Sequence, residues 1–292
     1  MSTDLPNLLS TLPLWKDARL TITSLPGGMT NDNFLVDDGT KKYVARFAPL
    51  KTDILGLRRD YEIYNATVAS HNNLTAPVTA YVPEHRLLII EFIPGTPLTE
   101  TTAIQDETMK KVARTLKKLH HIPSFQNTRN QFEYTRNYLQ LAKKHNGWIP
   151  RSFDSYLKQL DALEQKIEPC TQAHPCHLDL VLENIILQPD GEIRFIDWEY
   201  SANSDFRYDL AMFLTRINVS ETQKRSFLEA YGSPDTDTLF RNVCLFELVV
   251  HLAEAGYGML QTAVATKQSV DYKAYAEGQL ASFDKKSALY LV

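Results

Sequence analysis

His174-Pro-Cys-His177-Leu-Asp179-Leu-Val-Leu-Glu-Asn184-Ile-Ile-Leu187 runs through Gln188-Pro-Asp-Gly191 into Glu192-Ile-Arg-Phe-Ile-Asp197-Trp-Glu199-Tyr-Ser201. Two apolar runs, Ile185 to Leu187 and Ile193 to Ile196, flank an Asp-Gly pair, and that pattern predicts a tight hairpin. The polar residues gather at the hairpin's outer ends: Asp179 and Asn184 enter it, and Asp197 and Glu199 leave it. Closing the hairpin brings an acid, an amide and a second acid to one rim. The rim is therefore the candidate site.

The spacing suits phosphoryl transfer. That reaction needs a carboxylate to orient and deprotonate the attacking hydroxyl, and oxygen ligands for magnesium, a hard cation. An Asp followed at H-x-D-x-x-x-x-N spacing by an Asn supplies both on one loop, and Asp197 adds an anionic metal ligand. Taken singly, Asp179 reads as a helix cap, Asn184 as a turn residue and Asp197 as a strand end. The combination is specific. His177 is expected to bond backbone near the site, and Asp209 in Tyr208-Asp-Leu-Ala to cap the helix it opens.

Towards the N-terminus the pattern is that of strands. Arg19 to Leu25 alternates, Pro26-Gly-Gly28-Met-Thr30-Asn31 interrupts, and Asn33 to Val36 resumes; Asp37-Asp-Gly-Thr40 turns into Lys42 to Phe47. Asp53 to Ser70 reads as a helix with Leu57, Tyr61, Tyr64 and Val68 on one face. Pro77 to Val82 and Arg86 to Ile93 complete a sheet of about five strands. Pro94-Gly-Thr-Pro97 is a hinge, since two prolines and a glycine oppose regular structure. Beyond it helices are expected over Asp106–His120, Tyr134–Lys144 and Phe153–Ile167. After the hairpin come Asp209–Ile217, Glu221–Tyr231, Thr236–Ala255 and Asp271–Leu289. The expected fold is α+β and two-lobed. Residues 1–93 form a small antiparallel-sheet lobe with one helix, 94–97 the hinge, and 98–292 a larger, mostly helical lobe. A ligand belongs in the cleft between them.

Composition narrows the function classes. The chain has 292 residues, is 43% hydrophobic and 23% charged, and carries a net charge of -4, which gives no reason to expect nucleic-acid binding. Three cysteines without a CxxC pair argue against a disulfide framework or structural zinc and fit a reducing cytoplasm. No secretory leader is expected in Met1 to Trp15. Val243 to Ala255, interrupted by Glu247, His251 and Glu254, reads as too short and too charged for stable membrane insertion.

With these motifs in place the chain resembles the choline kinase and aminoglycoside phosphotransferase superfamily, small-molecule relatives of the protein kinases. Gly27-Gly-Met-Thr-Asn31, Tyr43-Val-Ala-Arg46-Phe, Glu91-Phe-Ile-Pro-Gly95, Cys176 to Asn184 and Ile196-Asp-Trp-Glu-Tyr-Ser201 carry the resemblance, over residues from about 18 to 215. The opening and the Asp-Trp-Glu-Tyr-Ser motif are similar to those of bacterial choline kinases and thiamine kinases.

The resemblance implies a cytoplasmic, ATP- and magnesium-dependent kinase of a small hydroxyl compound. Asp179 would be the catalytic base, contacting substrate. Asn184, Asp197 and Glu199 would be the metal set, with a backbone-bonding role for Glu199 equally open. Gly28, Thr30 and Asn31 would meet phosphate. Arg46, paired with Glu62, would stand where kinases carry a strand lysine, although Arg58 and Arg59 offer Glu62 a local partner. Glu91, Phe92 and Ile93 would meet adenine. Tyr200, Phe206 and Tyr208 are candidate walls for a choline-like cation, since quaternary ammonium groups bind over aromatic faces; Trp148 and Tyr257 lie further off. Glu247 and Glu254 are candidate sources of acidity. The late helices lack the tryptophans common in choline kinases, so thiamine, other amino alcohols and aminoglycosides stay open as acceptors. A nucleotide-binding pseudokinase is the alternative from another class. The oligomeric state is open.

Overall fold

The alternating segments of the N-terminal third pair, in the computed structural model, into a five-stranded antiparallel sheet ordered β1-β2-β3-β5-β4. Its strands are β1 (Thr21–Leu25), β2 (Asp32–Asp37), β3 (Lys42–Phe47), β4 (Val78–Val82) and β5 (Leu87–Glu91). The structure describes residues 5–16, 18–25, 32–47, 52–265 and 270–291. Gly28, Thr30 and Asn31, expected at phosphate, lie outside the described residues. Alternation along β3 sorts its side chains. Tyr43 and Ala45 pack with Trp15, Val36, Leu87 and Ile89 in the core of this lobe, and Arg46 falls on the opposite face.

α1 (Leu5–Ser10) precedes the sheet, and α2 (Arg59–His71) lies between β3 and β4. The expected helix from Asp53 begins late. Thr52–Leu55 makes one 3-10 turn, and Gly56 follows with φ 68, a left-handed conformation that ends the turn. The hinge is more regular than its prolines predict. Thr96–Pro97 forms β6, paired with the hairpin through Thr96↔Leu187 and Pro97↔Ile186, and the Leu98 N–H donates to Ile185 O at 2.9 Å.

The second lobe contains α3 (Glu100–Ala103), α4 (Asp106–Leu119), α5 (Gln131–Lys144) and α6 (Phe153–Lys166) before the site. After it come α7 (Phe206–Thr215), α8 (Glu221–Tyr231), α9 (Thr236–Val264) and α10 (Tyr272–Tyr290). Between the two groups lie β7 (His174–Cys176), the hairpin strands β8 (Ile185–Leu187) and β9 (Ile193–Phe195), and β10 (Ala202–Ser204), which pairs with β7. α5 starts three residues earlier than periodicity predicts because the Asn130 side chain accepts from Phe132 and Glu133 N–H at 2.9 and 3.1 Å.

α9 corrects the reading of its stretch as too short for a bilayer. It continues to Val264 because Met259 and Leu260 are fully buried and prolong the apolar face. By length and composition it could cross a membrane, but 83% of its apolar window is buried inside the molecule. Its interrupting charges are satisfied: Glu247 pairs with Lys224 and Lys286, each at 2.5 Å. Cys170, Cys176 and Cys244 are free thiols.

Candidate active site

The loop from His177 to Ser201 is held at its two ends by β7 and β10, and its first residues are pinned by one buried carboxylate. Asp209 accepts the backbone N–H groups of His177 and Leu178, each at 2.8 Å, and His120 Nε2 lies 3.2 Å from it. Asp209 is therefore not the helix cap. Asp205 caps α7 through the Arg207 N–H, and Asp209 sits one turn further in, fully buried. The Leu178 backbone has φ 65, a strained conformation of the kind that persists where surroundings over-determine it. The His177 ring bonds backbone as expected, donating from Nε2 to Ile196 O at 2.9 Å.

The hairpin assembles the rim. Asn184 donates from Nδ2 to the Asp179 backbone oxygen at 2.9 Å and to Asp179 Oδ2 at 3.1 Å, which leaves its amide oxygen for a hard cation. The Ile196 N–H donates to Asn184 O at 3.0 Å, placing Asp197 beside them, also at φ 65. Arg46 NH1 donates to Asp197 Oδ1 at 2.6 Å, and Arg46 NH2 pairs with Glu62. Glu62 also takes Arg59, so the long-range and the local partner are both real. Glu199 Oε2 lies 3.9 Å from Arg46 NH2, which sets a third acid around this guanidinium.

Charge is crowded here. Burial pushes Asp179 well above the usual carboxylate range, with Asp197 and Glu254 adding and Arg216 opposing. Burial likewise raises Glu62. For Arg46 burial opposes the charge, but Asp197, Glu62 and Glu199 outweigh it and hold the group above its ordinary value. Negative charge in excess on hard oxygens suits a divalent cation, so Asn184, Asp197 and Glu199 fit magnesium.

At the end of β5 the N–H groups of Glu91 and Phe92 donate to Pro77 O and Lys42 O at 3.1 and 2.8 Å. The Glu91 side chain pairs with Lys41 at 2.8 Å.

Of the three expected aromatic walls, Tyr200 stands at the rim. Its hydroxyl accepts from Tyr138 at 3.3 Å, and Tyr138 accepts from Tyr134 at 2.8 Å. Arg129 lies over the Tyr134 ring at 4.1 Å from its centroid. Tyr208 is buried edge-on to Phe246, with Glu254 and Arg216 as its main electrostatic neighbours. Phe206 is not brought to the rim. Its ring stacks on Tyr231 at 5.5 Å and meets His120 and His174 behind the loop.

Sequence reasoning missed Tyr134, Tyr138, Arg129 and Arg216. Tyr134 and Tyr138 are separated by one helical turn, the only local signal among them. Arg216 pairs with Glu254 at 2.8 Å, and Glu254 also accepts from the Tyr275 hydroxyl. Trp148, also considered as a wall, has Lys273 over its ring at 5.6 Å. An inter-lobe clasp was missed too: Asn65 on α2 donates to Ser201 O and to Asn127 Oδ1, both at 3.0 Å, and accepts the Gln126 N–H at 3.1 Å.

Comparison with known proteins places the chain among small-molecule phosphotransferases by sequence and by fold. Protein LicA of Haemophilus influenzae is 28% identical over 210 residues, 70% of this chain, though the match spans only 61% of that relative. Ethanolamine kinase 1 of Mus musculus is 24% identical, with 90% of this chain and 83% of the relative covered. Among solved structures, choline kinase LicA from Streptococcus pneumoniae shares the fold with a TM-score of 0.82 at 22% identity, covering 99% of this chain and all of that one. The model of the phosphotransferase enzyme family matches residues 21–240, which contain both lobes' contributions to the rim, and the chain belongs to that family.

Proposed function

We propose that the chain transfers the γ-phosphoryl group of ATP, with magnesium, to the hydroxyl of a small molecule, choline or a related amino alcohol. The observation that supports it is the single constellation of Asp179, Asn184 and Asp197 with Arg46 and Glu62. The names borne by the matching relatives, choline kinase and ethanolamine kinase, point the same way.

In this reading Asp179 orients the acceptor oxygen and takes its proton as that oxygen attacks phosphorus. The new O–P bond forms in line with the bond to ADP that breaks, without a covalent enzyme intermediate. Asn184 and Asp197, with Glu199 beside them, would hold magnesium, which when bound neutralises charge on the phosphates. Arg46 would contact phosphate through its guanidinium, with Glu62 as its ion-pair partner. Burial of Asp179 readies it as a base, because a raised carboxylate binds a proton more strongly.

Tyr200, Tyr138 and Tyr134 offer aromatic faces, and Tyr257, within electrostatic range of Asp179 and Glu254, extends the wall. Such a surface suits a cation. Three free thiols accord with a cytoplasmic setting. The test is ADP release with choline, ethanolamine, thiamine, homoserine and an aminoglycoside as acceptors. Turnover with an amino alcohol is expected. ATP binding without turnover on any acceptor contradicts the proposal and makes the chain a nucleotide-binding pseudokinase.

A further inference from the structure

One carboxylate oxygen is left over on α9. Glu254 takes both of its partners on the same atom: the Tyr275 hydroxyl donates to Oε2, and Arg216 NH2 lies 2.8 Å from Oε2. Oε1 accepts from no donor among the described residues. It is not sealed inside either, since the Glu254 side chain keeps 17% of its surface exposed and Oε1 is not among the buried atoms without a partner.

Its neighbours tie this oxygen to the rim. Tyr257 follows Glu254 one helical turn later on the same face of α9. The Tyr257 ring meets that of Tyr138 edge-on, with centroids 6.1 Å apart, and Tyr138 bonds the Tyr200 hydroxyl. After burial and Asp197, Glu254 is the group that does most to raise the Asp179 carboxyl. Glu254 therefore stands in the pocket beside Asp179.

The kind of cation that such a pocket takes depends on how its charge is held. Arg216 balances Glu254, so the pair attracts a bare positive charge only weakly. A quaternary ammonium has no N–H and binds by lying against aromatic faces, and cations of the chain already occupy such faces here. Arg129 lies over the Tyr134 ring at 4.1 Å and over that of Tyr200 at 5.9 Å. Of the three tryptophans, Trp15 and Trp198 are buried and Trp148 carries Lys273 over its ring. What remains at Oε1 is a directional acceptor. A protonated amine that donates an N–H to it makes a charge-assisted hydrogen bond; a trimethylammonium group would cover the same oxygen and leave it without a donor. Resting on the phosphotransfer reading of the site, we propose that Glu254 selects the acceptor through Oε1, and that the acceptor is an amino alcohol whose ammonium carries at least one N–H rather than a quaternary one.

The experiment is calorimetric titration of the full chain, in saturating ADP and magnesium, with ethanolamine, N-methylethanolamine, N,N-dimethylethanolamine and choline. Each differs from the next by one methyl group; the first three keep an N–H when protonated, and choline has none. Affinity is expected to stay within about threefold across the first three and to drop at least about tenfold at choline. The ratio kcat/KM from ADP release should break at the same step. Glu254→Gln keeps the shape and exchanges the carboxylate for an amide; it should weaken ethanolamine about tenfold and move choline by less than about threefold. Absence of ethanolamine binding, equal affinity for all four, or a decline spread evenly over the methyl groups overturns the proposal, the last because crowding alone explains it. A loss in Glu254→Gln shared equally by ethanolamine and choline overturns it too. The parent's series needs no variant, so it decides the matter even if Glu254→Gln fails to fold. Failure of the phosphotransfer reading itself shows separately, as the same break in binding with no turnover on any acceptor.

Discussion

Asp179 is a half-buried acid on the loop and Asp209 a fully buried one beneath it, and the two are expected to do different work. In the proposed reading Asp179 faces the acceptor; its replacement by Ala is then expected to lower kcat by about 10²- to 10⁴-fold, the range for loss of a general base, with ATP affinity within about threefold because the proposed phosphate contacts are elsewhere. Single-turnover kinetics beside nucleotide titration measure the two quantities. Asp209 holds the His177 and Leu178 N–H groups. Asp209→Ala strands both in the interior, and urea unfolding should show a loss of about 2–4 kcal/mol, with kcat falling as the loop loosens. The first, a proposed role, is suggested by the sequence, because the H-x-D-x-x-x-x-N spacing is local. The second is not. An acid one turn inside a helix gives no sign that it bonds a loop more than thirty residues earlier.

At the scale of elements, the hairpin was legible because its turn and its two apolar runs are adjacent in the chain, and β8 and β9 pair through Ile185↔Phe195 to Leu187↔Ile193. Element ends were less so. The delayed start of α2 depends on a left-handed residue, and the long run of α9 on packing against α5, α7 and α10. Gly147, at the end of α5, shows how close that packing is: a Cβ there would lie 2.3 Å from the Met259 carbonyl oxygen. Gly147→Ala forces α5 and α9 apart, and thermal melting should report a loss of about 2 kcal/mol or more.

α9 also carries a pH response. His251 is buried, its Nδ1 2.8 Å from Gln279 Oε1, and burial lowers its pKa from 6.5 to about 4, with nearby Lys286 and Arg216 lowering it further and Glu247 opposing. The folded state disfavours the proton, so this contribution is fully present above about pH 6.5 and is lost as pH falls toward 4. Between neutral pH and pH 4 the parent is expected to lose on the order of 3 kcal/mol more than His251→Gln. Equal pH dependence in the two proteins contradicts this.

For the molecule as a whole, the two lobes and the acidic rim follow from patterns that lie within short stretches, which is why they could be read in advance. The proposed acceptor side does not. Arg129, Tyr134, Tyr138, Tyr200, Arg216 and Glu254 come from five separate segments, and periodicity shows that a face is apolar without showing which cavity it meets. Phe206 and Tyr208 illustrate this: two residues apart in sequence, the first packs behind the loop and the second beside Glu254 and Arg216. The central claim concerns the whole assembly, because Arg46 and Glu62 come from one lobe and Asp179, Asn184 and Asp197 from the other. Its most direct measurement is steady-state ADP release from ATP and magnesium with choline or ethanolamine, run for the parent and for Asp179→Ala. The account predicts acceptor-dependent turnover in the parent that falls at least about a hundredfold in the variant; equal turnover in the two proteins, or none in the parent with any hydroxyl acceptor, would contradict it.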